Sequence, residues 1–160
     1  MSEEQTPSPN GAPPVEGRTE QFVYLSELRS YIHEEAGWIR TLTDAIQRGV
    51  AGDDTATDVG RAVADVASPY RAEIARLRTL DAPAGCEAVA RSLAEEGDAA
   101  EEYLAALARW TAAGQIGISL LRDNAGEEVH HALEHFLNAR DAFQQAYTEA
   151  ARLLSETDSE

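Results

Sequence analysis

Apolar residues recur every three to four positions along most of the chain, and the pattern divides it into four long amphipathic segments. Leu25, Leu28, Ile32, Ile39, Leu42 and Ile46 share one stripe and predict a first helix over Thr19–Val50. Gly52-Asp53-Asp54 then supplies a stop followed by a cap. Val59, Val63, Val66, Tyr70, Ile74 and Leu77 predict a second helix over Asp54–Leu80. Pro69 falls inside it, and the stripe keeps its phase across the proline, so a kink is expected rather than a restart capped by Ser68.

A third helix is predicted over Pro83–Ala113, with Pro83 in its first turn. Its stripe is Cys86, Val89, Leu93, Ala100, Leu104 and Leu107, with Tyr103 and Trp110 at the flanks and Gly97 where a neighbouring helix would come close. Trp38 likewise reads as a stripe-edge residue in ordinary packing. Gly114 ends this helix. The fourth is predicted over Ile116–Ser155, its stripe running through Ile118, Ala125, Val129, Ala132, Phe136, Phe143, Tyr147, Ala150 and Leu154. Asn124-Ala125-Gly126 could break that helix near its start. Four long helices with short connections predict an all-α fold, a four-helix antiparallel up-down-up-down bundle with shallow crossing angles.

Residues 1–18 hold four of the six prolines and almost nothing that could pack, and are expected to form a disordered, acidic, proline-rich arm. A single bundle domain over 19–155 and an acidic tail over 156–160 complete the division. No apolar run is long enough to cross a bilayer and no signal segment is evident, so a soluble, cytoplasmic protein is expected.

Two glutamates break the pattern. Glu35 falls between Ile32 and Ile39 where a core residue belongs, and Glu96 falls on the apolar side of the third helix. Folding the chain at its three turns and counting an equal rise per residue brings both to one level, beside Pro69–Tyr70 and near His135. Carboxylates enter a core only with a partner. The sequence offers a metal ion, Arg140 on the apolar side of the fourth helix, or water.

The metal alternative draws on Glu127–Phe143, which carries three of the four histidines. Glu128, His131 and His135 share one flank of that helix at spacings of three, seven and four, whereas Glu127, His130 and Glu134 turn toward solvent. Glu35, Glu96, Glu128, His131 and His135 thus form a candidate ligand set for zinc or iron. Carboxylate-bridged di-metal bundles need two Glu-x-x-His motifs. Only Glu128-x-x-His131 is present, and His33 points away from Glu35, so any such site would be mononuclear or incomplete. The alternative is a Glu35–Arg140 or Glu96–Arg140 ion pair that fixes helix register.

Charge narrows the function classes. The chain has 29 acidic and 13 basic residues, no lysine, and a net charge of −16. That balance opposes direct binding to nucleic acid or to an anionic membrane. The lone cysteine, Cys86, reads as a core residue, and no phosphate loop or nucleophile motif is present. The expected function is therefore a non-enzymatic interaction or assembly protein, with a protein partner or self-association through a helix face. The rival is a metal-binding bundle in storage, sensing or redox chemistry. A third reading is an acidic DNA mimic.

Overall fold

The computed structural model describes residues 15–114 and 124–158. They form four helices: α1 (Val15–Val50), α2 (Ala56–Arg78), α3 (Glu87–Ala112) and α4 (Asn124–Asp158). Each helix packs on its neighbours in chain order, and α4 closes the ring against α1. The α3–α4 seam is the most extensive and the α1–α4 seam the sparsest. This is the expected four-helix arrangement, and no described helix is long and apolar enough to cross a membrane.

Helix ends differ from the sequence pattern where local chemistry competes with periodicity. Most of the expected arm, residues 1–14, lies outside the described residues, but Val15–Arg18 already belong to α1. Gly52 makes the turn at φ +85°. The cap that follows is Thr55 rather than Asp54: its hydroxyl accepts from the Asp58 N–H, and the Asp58 side chain accepts from the Thr55 N–H, a reciprocal capping box. Helix α2 runs unbroken through Pro69. Pro83 starts a turn, with the Cys86 N–H bonded to its carbonyl, so α3 begins at Glu87 and not at the proline. Gly114 ends α3 with φ +71°.

The described part of helix α4 runs from Asn124 to Asp158, so the acidic tail from residue 156 is helical up to that point. The predicted start at Ile116, and Ile118 on its stripe, lie outside the described residues.

The core confirms the stripes of α2 and α3 residue for residue. Trp110 and Tyr103, read as flanking residues, are fully within it. In α1 the inward line is rotated: Tyr24, Leu28, Tyr31, Leu42 and Ala45 are buried, whereas Ile32, Ile39 and Ile46 are only partly so. Two tyrosines neighbouring this stripe displace isoleucines because an aromatic ring removes more apolar surface, provided its hydroxyl finds a partner. Tyr103 stacks on Phe136, ring centres 5.7 Å apart, and Tyr31 meets the edge of Phe143 at 5.9 Å.

Gly97 is a genuine close approach. A Cβ there would lie 2.7 Å from the Arg78 guanidinium and 3.0 Å from Ile74 Cγ2. That guanidinium donates to the Ala94 carbonyl and to Asp98, each at 2.8 Å, and ties α2 to α3. Gly97→Val is expected to expel it and to lower the unfolding free energy by about 1–3 kcal/mol, the usual range for overpacking. Urea denaturation provides the check, and an unchanged midpoint would show that α2 and α3 separate without cost.

Candidate functional site

Five polar side chains from all four helices meet at mid-bundle. Tyr31 and Glu35 stand one turn apart on α1, which places both on one face. Tyr70 follows the proline of α2, Glu96 precedes the close-packed Gly97 of α3, and Arg140 lies one turn before Phe143 on α4. Glu35 and Glu96 are completely buried. Neighbouring Leu28, Leu93, Leu104 and Phe143 belong to the same enclosing core.

Glu35 is fully satisfied. Its Oε2 accepts from the Tyr31 hydroxyl at 2.6 Å and from the Tyr70 hydroxyl, and its Oε1 accepts from Arg140 Nε at 3.1 Å. Arg140 is 22% exposed, so its charge is shared between the core and water. The Glu35–Arg140 pair is one of the two ion pairs that the sequence offered.

Glu96 has no cation of its own. Its Oε1 lies 2.5 Å from the Tyr31 hydroxyl and 3.4 Å from that of Tyr70, and its Oε2 has no hydrogen-bond partner. Burial pushes its carboxyl up to about 10, and the hydrogen bond and negative charge of Glu35 push the same way, against the weaker influence of Tyr31 and Arg140. Glu96 is therefore an uncharged acid at neutral pH. The Tyr31 hydroxyl lies between the two carboxyls, 2.6 Å from Glu35 Oε2 and 2.5 Å from Glu96 Oε1, and it has a single proton to donate, so with Glu96 protonated the acid's own O–H can make the second contact. The unpartnered Oε2 is then a neutral carbonyl oxygen, which costs far less to bury than half a carboxylate. Burial foremost, then the two glutamates, drives both phenols well above the usual tyrosine range, so they remain donors.

The candidate metal ligands do not come together. Glu35 and Glu96 meet in the core, as counted from the sequence, but Glu128, His131 and His135 are exposed on the surface of α4. Glu128 accepts from Arg109, and His135 Nδ1 lies 3.0 Å from Glu102. His131 lines a shallow surface hollow with Glu134, His135 and Asn138. Among the described residues, no group of three or more histidine, cysteine, aspartate or glutamate side chains is placed to hold a metal ion. The reason is geometric. At about 100° per residue, the Glu128–His131–His135 flank lies on the opposite side of the inward direction from Arg140. The level also differs: Glu35 meets Arg140 and not the turn around His135.

Tyr31 is the site residue that the hydrophobic pattern passed over. A hydroxyl one turn from an apolar-face carboxylate was the signal for it. Cys86 is buried, and burial, with the Glu87 charge, pushes its thiol up, as suits a core cysteine.

Apolar surface collects elsewhere. Phe22 (63% exposed), Val23 (56%) and Leu153 (49%) stand at the end of the bundle where α1 begins and α4 finishes. Two adjoining hollows of about 270 and 170 Å³ share Leu25 and Leu154 there, the larger bounded also by Phe22, Tyr147 and Ala151. Glu20 and Glu27 lie one turn either side of Val23, and Glu149 and Glu156 one turn either side of Leu153. Comparison with protein-family models, with curated proteins and with solved structures returns no match to this chain.

Proposed function

We propose that the protein is a non-enzymatic interaction module that docks a basic, amphipathic segment of another protein on the open α1–α4 seam. The observation that carries this reading is the coincidence of the sparsest helix seam with two adjoining half-open hollows, one lined by exposed Phe22 and the other by exposed Leu153. An apolar floor in a groove between two helices suits the non-polar face of a third helix. Charge selects the partner. The chain carries a net −16, which disfavours a second copy, but beside the patch Glu27 is paired with Arg76, Glu149 and Glu156 are paired with Arg152, and Arg29 lines the hollow, so the selection rests on overall charge. The buried cluster supports the non-enzymatic part of the reading. Its two carboxyls are fully enclosed, and its hydrogen bonds tie α1, α2, α3 and α4 together, the geometry of a register-fixing core network.

The test is titration with a synthetic lysine- and leucine-rich amphipathic helical peptide, comparing the wild type with the Phe22→Asp, Leu153→Asp double variant. Both positions are exposed, so the melting temperature is expected to hold. Saturable one-to-one binding that weakens with salt and is lost in the variant is the expected result. Equal binding by both proteins would refute the site. A concentration-dependent dimer lost in the same variant would replace the basic partner with a second copy.

A further inference from the structure

The aromatic residues around Glu35 form a short path from the protein surface to a phenol with a base already in place. Trp38 is partly exposed, and its indole stacks on the ring of Tyr70, with centres 4.9 Å apart and planes 30° from parallel. The hydroxyl of Tyr70 donates to Glu35 Oε2. Tyr31 meets Tyr70 edge-on at 6.2 Å, its hydroxyl 3.3 Å from that of Tyr70, and it donates to the same carboxylate oxygen. Trp38 and Glu35 lie one turn apart on α1, so one helix supplies both the entry ring and the proton acceptor.

We propose that Tyr70 is a redox-active tyrosine, oxidised through Trp38 by outer-sphere one-electron oxidants such as diffusible radicals or high-potential metal complexes. A phenol in a dry core cannot give up an electron alone, because the resulting cation would be an unsolvated charge. It must release its proton in the same event, and that requires a base within hydrogen-bond reach. Glu35 is that base. In the net step the oxidant gains one electron and Tyr70 loses one. The Tyr70 O–H bond breaks as a new O–H bond forms on Glu35 Oε2, leaving a neutral phenoxyl radical and a carboxylic acid. Trp38 passes the electron outward and is restored. Reduction by one electron from any donor returns the proton to Tyr70. The raised pKa of both tyrosines, caused first by burial, fits this coupling, since neither phenol is ionised beforehand. The same enclosure keeps water and other radicals from the phenoxyl oxygen, because Tyr31, Glu35, Tyr70 and Glu96 are all buried.

The experiment is flash photolysis of the full-length protein with a ruthenium polypyridyl complex and a sacrificial quencher as the one-electron oxidant, read by transient absorption and electron paramagnetic resonance. The wild type is expected to show a tryptophan radical that gives way to a tyrosyl radical, more slowly in heavy water. Tyr70→Phe is expected to lose that conversion, or to slow it as the hole moves to Tyr31, and to lengthen the life of the tryptophan radical. Trp38→Phe, at a partly exposed ring, is expected to abolish the early tryptophan signal and suppress tyrosyl formation while leaving the fold intact. Identical tyrosyl yield and kinetics in the wild type and both variants would overturn the assignment and place the radical on Tyr24, Tyr103 or Tyr147. A long-lived tryptophan radical with no tyrosyl signal in the wild type would overturn it equally.

Discussion

Replacing Arg140 with leucine is expected to lower the unfolding free energy by about 3–5 kcal/mol, the range for orphaning one member of a buried ion pair. Glu35 is fully buried, and Arg140 Nε is the cation on its Oε1. The two phenols on Oε2 supply hydrogen bonds but no charge. Without Arg140 the carboxylate must either stay charged in a dry core or take up a proton, and both outcomes cost stability at neutral pH. Urea denaturation of the variant measures the loss. A change below about 1 kcal/mol, the scale of a surface pair, would mean that water reaches Glu35 and that the pair is incidental. Adding Glu35→Gln to Arg140→Leu removes the orphaned charge, so the double variant is expected to recover part of the loss. An additive further loss would instead assign Arg140 a packing role independent of Glu35.

Glu96→Gln is expected to stabilise the protein, and increasingly so as pH rises. The sign follows from proton counts. The carboxyl holds its proton to about 10 in the folded protein but only to the ordinary value of 4.5 in the unfolded chain. Between those values the folded state binds one more proton than the unfolded state, so stability falls as pH rises. The stabilisation is complete below pH 4.5 and is lost progressively toward pH 10. For one proton the slope is about 1.4 kcal/mol per pH unit. Glutamine has no such proton to lose, and its amide can donate to the Tyr31 oxygen from the place of Oε1. The chain's net charge of −16 gives many other groups a share in any pH profile, so the informative quantity is the difference between variant and wild type. Melting curves of both proteins from pH 5 to 9 are expected to diverge by roughly that slope. Parallel curves would show that Glu96 ionises in the folded state.

These two substitutions separate the two carboxyls, which occupy the same hydrogen-bonded group with different partners. Glu35 has the arginine and both phenols, and Glu96 has one short contact and an oxygen without a partner. A core that held both as carboxylates with one half-buried cation would carry uncompensated charge. Holding one as an acid removes it.

By itself the sequence determined the helical class, the stripes of α2 and α3, and the two glutamates that interrupt apolar faces. Periodicity and local composition suffice for these, because each is written within a few turns of one helix. Counting rise per residue also brought Glu35, Tyr70 and Glu96 to one level, since α1, α2 and α3 are joined by short, well-marked turns. The same count placed His135 at that level on α4, where Arg140 stands instead. Tertiary structure alone decided the rotation of α1, which trades Ile32 and Ile39 for Tyr31, and which of the candidate partners reaches Glu35. A rotation of a few tens of degrees leaves a helix's own periodicity almost unchanged. It is fixed by which side chains on the other three helices are there to fill the space and to complete the hydrogen bonds. The sequence puts Glu128, His131 and His135 on one flank of α4 and Arg140 on its apolar side; packing decides that the flank stays outside the core and that Arg140 is the partner of Glu35.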